Sequence, residues 1–350
     1  MMAVSGCSEL PEVQYHREGF DLAVEFEHPV CEGTLLAMEE RVMRVGKETD
    51  RHQDVPMTIY WLDGDLERIC PRPTSGCFIP GTHIVASTGG SLHHEIVHAV
   101  MNTRGANPYA EEGLAEVLSG VAAYRDPQRR DDPFQPFSST RKDAREGEVD
   151  YDRAAHFVHF VRSQADTDAV AALADAIDRD DSPAKIVDLM ERHLDRSASE
   201  IEADYAEAPD FYPSIRAEET EPITAFDLVT GINVSLDCNH PETFGPLSEQ
   251  SGGMYHLLRI ELDAPLRGTV FFQADAGVRA TFFREVDPDG RWVQDWWNPV
   301  PWLDEGHVDL RGGEQASIEL DPTEHWLLMV RASDSEKAKG AGLRLLPAEG

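Results

Sequence analysis

The sequence predicts an α+β chain in two parts, a mixed sheet with helices over residues 11–207 and an all-β sandwich over 224–350, with residues 208–223 as a linker. Three observations predict it. Strand-like and helix-like runs interleave up to about residue 124, and helix-like runs continue to 207. Beyond 223 the runs are short, alternate with period two and are separated by Gly, Pro and Asp. A chain of 350 residues also exceeds what one hydrophobic core usually supports.

In chain order, "EVQYHREGFDLAVEFEH" (12–28) alternates around Glu18-Gly19 and reads as a β-hairpin. "GTLLAMEERVMRVGKE" (33–48) sets Leu35, Met38, Val42 and Val45 three and four apart, the spacing of an amphipathic helix. "PMTIYWL" (56–62) and "THIVAST" (82–88) read as short strands, and the helix "SLHHEIVHAVMNT" follows with Ser91 as N-cap. After a turn through Gly105, Asn107 and Pro108, "PYAEEGLAEVLSGVAAY" (108–124) is a further helix. Residues 125–148, rich in Arg, Asp, Pro and Ser, read as an exposed loop. Helices resume in "DYDRAAHFVHFVRSQ", "DAVAALADAIDR", "SPAKIVDLMERHL" and "SASEIEADYAEA". The sandwich strands are read in "ITAFDLVTGINVSLDC", "MYHLLRIELDAP", "GTVFFQADAG", "VRATFFREV", "QASIELD" and "HWLLMVRAS".

Acidic residues exceed basic ones by 34, a field that repels phosphate backbones and anionic lipid and excludes nucleic acid as a partner. No run approaches the roughly 18 to 20 apolar residues of a membrane span. Val4-Ser5-Gly6-Cys7 matches a bacterial lipobox, although little of the usual charged and apolar leader precedes it; residues 1–10 read as a leader remnant, with a lipid anchor at Cys7. The expectation is an exported bacterial protein, held at the surface, periplasmic or secreted. Cys31, Cys70, Cys77 and Cys238 remain, an even number that permits three pairings, among which the sequence does not choose. Cys70 and Cys77 bracket a short Pro- and Gly-containing segment that a disulfide could close, and full pairing needs one link to Cys238, between the two parts. No CxxC or Cys/His knuckle spacing occurs, so oxidised export accounts for these cysteines better than a zinc ribbon.

The chemistry concentrates in His94-Glu95-Ile96-Val97-His98, an HExxH pattern. Residues four apart share a helical face, so both imidazoles reach one metal, and Glu95 between them reaches a water that the metal acidifies. The expectation is Zn2+ and hydrolysis of a peptide or protein substrate, with Glu95 as general base. Metzincins would place Gly at 101 and His at 104; Met101 and Arg104 stand there instead. His93 has Val97 four residues on and forms no second metal pair, which leaves it a solvent-side or supporting role.

The segment "NPYAEEGLAE" resembles the helix that carries the third ligand in gluzincin zinc metallopeptidases, in particular small bacterial proteins with an "EGLAE" helix followed by a "YxxAxxFvxfL" helix. Tyr151, Ala155 and Phe157 through Val161 match that second element, with His156 where serine is more usual, and the resemblance spans residues 80–207. It implies a zincin-like mixed sheet with a helical catalytic domain. It also implies Glu112 as third metal ligand, Glu116 as acceptor for the outer nitrogen of His94, and Glu111 pointing elsewhere. Tyr151 or His156 would donate to the oxyanion, Tyr151 being favoured because it begins a helix; Tyr109 and the Phe157, Val158 and Val161 face are read as structural. Zincins lay substrate antiparallel to an edge strand, here "THIVAST". The C-terminal part resembles sandwich domains appended to secreted bacterial peptidases, and no ligand site is read in it. The competing reading is a catalytically inactive zinc-binding surface protein whose β-module binds substrate or partner. Retention of Glu95 favours activity, since a structural site has no use for a base and prefers four closed ligands.

Overall fold

The computed structural model describes residues 10–51, 55–102, 107–119, 133–138, 149–164, 176–178, 181–209, 220–250, 252–284, 308–324, 326–335 and 337–348. The lipobox, most of the 125–148 stretch and most of the helix expected at 168–179 lie outside these residues.

The expected hairpin pairs β1 (Tyr15–Arg17) with β2 (Phe20–Val24). Its turn ends on Gly19 at φ 86°, a left-handed backbone that favours glycine. Helix α1 (Glu32–Glu48) buries Leu35, Met38, Val42 and Val45, the stripe that its spacing encodes. Strands β3 (Met57–Trp61), β4 (Gly76–Ile79) and β5 (Ile84–Ser87) complete a sheet of order β1-β2-β3-β5-β4. β2, β3 and β5 run parallel, and β4 returns antiparallel to β5. The edge beside the site is therefore β4 and not "THIVAST", which lies inside the sheet. β4 escaped the sequence reading because it is short and sits among Pro, Ser and Gly.

Helices α2 (Leu92–Met101), α3 (Pro108–Ser119), α4 (Tyr151–Gln164), α5 (Pro183–Leu194) and α6 (Ala198–Ala206) follow the sheet. One core joins them to it through Leu22, Met38, Ile59, Val85, Ile96, Leu114, Phe157, Val161 and Tyr205. Gly113 lets α3 and α4 touch, since a Cβ there would meet the Ala154 carbonyl oxygen at 2.5 Å. The stretch read as an exposed loop is corrected at 133–138: Phe134 and Phe137 are buried, and Phe137 stacks edge-on against Tyr109 and Phe157. Two isolated aromatics in a polar segment carry no period, so only their partners reveal them.

On α4, burial first, then Arg162 and His156, depress the His159 pKa from 6.5 to about 4. Below pH 6.5 the unfolded chain gains a proton that the folded one refuses, so this group costs stability progressively from pH 6.5 down to about 4. The full shift corresponds to about 3 kcal/mol, which partial exposure reduces to about 1 to 2. His159→Gln is expected to remove that share of the acid loss, read from urea unfolding at pH 7 and pH 4.5; parallel losses in both proteins would refute it.

The second unit opens with β6 (Thr220–Thr224), inside the stretch read as linker, and continues through α7 (Ala225–Thr230) and β7 (Ile232–Leu236). The helix replaces part of an expected strand because Thr224 and Asp227 form a reciprocal capping box. β8 (Met254–Glu261), β9 (Leu266–Ala274), β10 (Val278–Arg284), β11 (Val308–Arg311), β12 (Gln315–Leu320), β13 (Trp326–Ala332) and β14 (Lys339–Pro347) build two sheets. Their orders are β11-β10-β13-β8-β6 and β12-β9-β14-β7, and Leu258, Phe282 and Leu328 of one share a core with Leu236, Val270, Phe272 and Leu343 of the other. This is the expected sandwich.

The two units are joined covalently and by hydrogen bonds. Cys31 pairs with Cys238 and Cys70 with Cys77, which selects one of the three pairings and fits an extracytoplasmic protein. Cys31 N–H donates to Gly245 O (3.0 Å), Glu32 N–H to Cys238 O (2.8 Å) and Gly33 N–H to Thr243 O (3.1 Å), so the sandwich caps α1. Ala37 of α1 packs with Phe244, Tyr255, Leu257 and Met329 in a shared apolar cluster. Replacing Cys31 and Cys238 together by serine is expected to cost about 3 to 5 kcal/mol, because the bridge closes a loop spanning 207 positions. An unchanged unfolding midpoint in urea would refute it.

Candidate metal centre

β5 leads through a 3-10 turn, Gly89–Ser91, into α2, and the start of that helix is held from two sides. Ser91 holds the expected N-cap position without a side-chain capping bond: its hydroxyl donates to Ser75 O (2.6 Å) and bonds Ser87 Oγ (2.8 Å), fixing the helix to the Cys70–Cys77 loop. The acceptor at the helix start comes from the other unit. Glu249 Oε1 accepts from Gly89 N–H (2.6 Å) and from Trp61 Nε1 (2.8 Å). Asn107 orders the start of α3: its side chain accepts from Tyr109 N–H (3.0 Å) and donates to Phe137 O (2.8 Å).

With both helices anchored, three expected ligands converge. Glu112 Oε2 lies 3.1 Å from His94 Nε2 and 3.3 Å from His98 Nε2, and the two ring nitrogens are 3.0 Å apart. A tetrahedral ion bound at about 2.0 to 2.1 Å spaces its ligands about 3.3 Å apart, so the triangle matches zinc in size and donor type. Three acceptors can face one another at this distance only with protons or a cation among them. The charges agree. Burial alone would lower the pKa of both histidines, but Glu112, joined at His94 by Glu116, overrides it and raises them. Burial would raise Glu112, and the same histidines hold it far below the usual carboxylate range.

The surrounding groups are equally ordered. Glu116 Oε1 is 2.9 Å from His94 Nδ1, the expected brace. Glu111 does not point elsewhere: it lines the pocket, 3.7 Å from His98 Nδ1. Glu95 also lines it, its pKa raised by burial and partly restored by His98, His94 and the Phe78 N–H of β4. Gly76 of β4 is needed at this crossing, because a Cβ there would meet the Glu95 side chain at 2.6 Å. Tyr151 opens α4 on the pocket wall, its ring 6.3 Å from that of His94, and its hydroxyl is held protonated by burial and the surrounding carboxylates. His156 is elsewhere, buried against Tyr205 with Nε2 3.1 Å from Pro209 O. His93 is buried, which removes the solvent-side reading, and Tyr109 sits in the core as expected. The open pocket of about 340 Å³ also takes in Thr74, Phe78, Pro80 and Pro108, and among the described residues no Lys or Arg lines it.

Replacing Glu116 by Gln weakens the acceptor for His94 Nδ1–H, so zinc affinity is expected to fall about 10- to 100-fold. Competition with a chromophoric chelator measures it, and unchanged affinity would discount the brace. Sequence reasoning missed β4 and Glu249. Glu249 lies 160 positions from Gly89 and carries no local signal.

No family model and no curated protein matches this chain. Among solved structures, the pre-peptidase C-terminal domain of a collagenase from Bacillus anthracis is similar at 13% identity and a TM-score of 0.23, over 36% of this chain and 94% of that one. PliG, a periplasmic inhibitor of g-type lysozyme from Salmonella Typhimurium, is similar at 9% identity and a TM-score of 0.21, over 36% and 97%. Likenesses this slight decide neither fold nor function.

Proposed function

We propose that this chain is a zinc-dependent peptidase of the gluzincin kind, with a zincin-like catalytic unit acting outside the cytoplasm. The convergence of His94, His98 and Glu112 beside a base that is not itself a ligand carries the reading. These three residues would hold the zinc, which when bound polarises water and the scissile carbonyl.

The chain's own groups supply the rest. Glu95, buried and oriented by the Phe78 N–H, takes a proton from the attacking water and returns it to the leaving amine. Tyr151, protonated across the working pH range, donates to the oxyanion. β4 is the sheet edge that lines the pocket, and an extended peptide laid alongside it would meet the pocket lengthwise. A lipid anchor at Cys7 would place this activity at the cell surface. Purified protein is expected to carry zinc at the triad and to cleave a library of unstructured peptides, with cleavage abolished by a chelator and restored by zinc. Zinc bound without cleavage of any peptide would leave the inactive zinc-binding protein as the better reading.

A further inference from the structure

We propose that the sandwich carries a second divalent-cation site, built from His256, Glu221 and Glu242 and suited to Zn2+ or Mn2+. One ligand atom from each lies within 4.8 Å of the others, although the residues come from three separate segments. Glu221 is on β6 and His256 on β8, adjacent strands paired in parallel. Glu242 is in the turn after β7, closed by His240 N–H to Asp237 O (2.7 Å) and Thr243 N–H to His240 O (3.0 Å).

The imidazole separates this group from an ordinary acidic surface patch. His256 alternates in phase with Met254, Leu258 and Ile260, which belong to the sandwich core, and is only 5% exposed. Among the described residues its buried Nδ1 has no hydrogen-bond partner, and its Nε2 faces Glu221 Oε2 at 3.4 Å. A polar ring set in an apolar stripe costs stability unless it serves something, and Nε2, the nitrogen turned towards Glu221, is the one placed to ligate. The carboxylates lack ordinary partners too. Among the described residues Glu221 and Glu242 pair only with histidines, His256 and His240, and with no Lys or Arg. Two carboxylates so close repel, and a cation between them removes that repulsion.

The donor set narrows the occupant. Imidazole with carboxylates suits zinc or manganese, whereas an all-oxygen set would suit calcium or magnesium. Both carboxylate side chains are more than half exposed, so water completes the coordination and binding is weaker than at the buried triad. The ion would tie β6, the edge strand that opens the sandwich, to the turn bearing Cys238, and so brace the junction with the catalytic unit.

Equilibrium dialysis of the full chain against Zn2+ or Mn2+, followed by elemental analysis, tests this. Wild type is expected to bind two zinc ions, Glu221→Gln/Glu242→Gln one, and His94→Ala/His98→Ala one that the further Glu221→Gln/Glu242→Gln changes remove. The Gln variants alter exposed side chains and keep the fold, as their metal-free unfolding midpoint will report. A metal-induced rise in that midpoint should persist in His94→Ala/His98→Ala and vanish when the Glu pair is also replaced. Equal stoichiometry in wild type and Glu221→Gln/Glu242→Gln would overturn the proposal. A single zinc lost only with the Glu pair would uphold it while refuting the triad.

Discussion

Glu95→Gln is expected to lower turnover of an unstructured peptide by about 10²- to 10⁴-fold while zinc content stays at the wild-type value. The amide keeps the size of the side chain where Gly76 crosses it and still accepts from Phe78 N–H. It loses the ability to take a proton. Glu95 is not one of the three groups that converge as ligands, so metal binding has no reason to fall. Turnover and bound zinc measured on the same preparation separate the two effects. Equal cleavage by both proteins would remove Glu95 from the mechanism.

Glu112→Ala is expected to have the opposite signature, with zinc affinity down by more than the roughly 100-fold that losing a supporting group costs. The substitution deletes the oxygen 3.1 and 3.3 Å from the two ring nitrogens and leaves them facing each other at 3.0 Å. Two imidazoles alone make a poor zinc site, and the negative charge that neutralises the ion is gone. Activity should therefore recover in part when zinc is raised well above wild-type requirements, which would not help Glu95→Gln. Full zinc occupancy of Glu112→Ala at equimolar metal would show that the third ligand lies elsewhere.

Much of this site was legible because its parts are local. His94 and His98 share a face through helical spacing alone, and Glu112 and Glu116 are likewise one turn apart on α3, so one reaches His94 Nε2 while the other reaches its Nδ1. The core stripes of α1 and α4 were readable for the same reason. Glu111 was misread because its direction depends on how α3 is rotated against α2, which neighbouring residues do not encode. Ser91 stands at the expected N-cap position but makes no capping bond, because Ser75, sixteen positions away, takes its hydroxyl.

By itself the sequence determined the α+β character, the helical face shared by His94 and His98 and the alternating strands of the C-terminal part, all of which follow from periodicities of 2 and 3.6 within short windows. Only the tertiary structure decided which cysteines pair, that β4 rather than "THIVAST" borders the site, and that Phe134 and Phe137 are core. It also decided that Glu249 of the sandwich grips the 3-10 turn leading into α2, and that His256 lies beside Glu221 and Glu242. Each of these rests on contacts between groups distant in sequence, and a local pattern holds no record of where the chain returns.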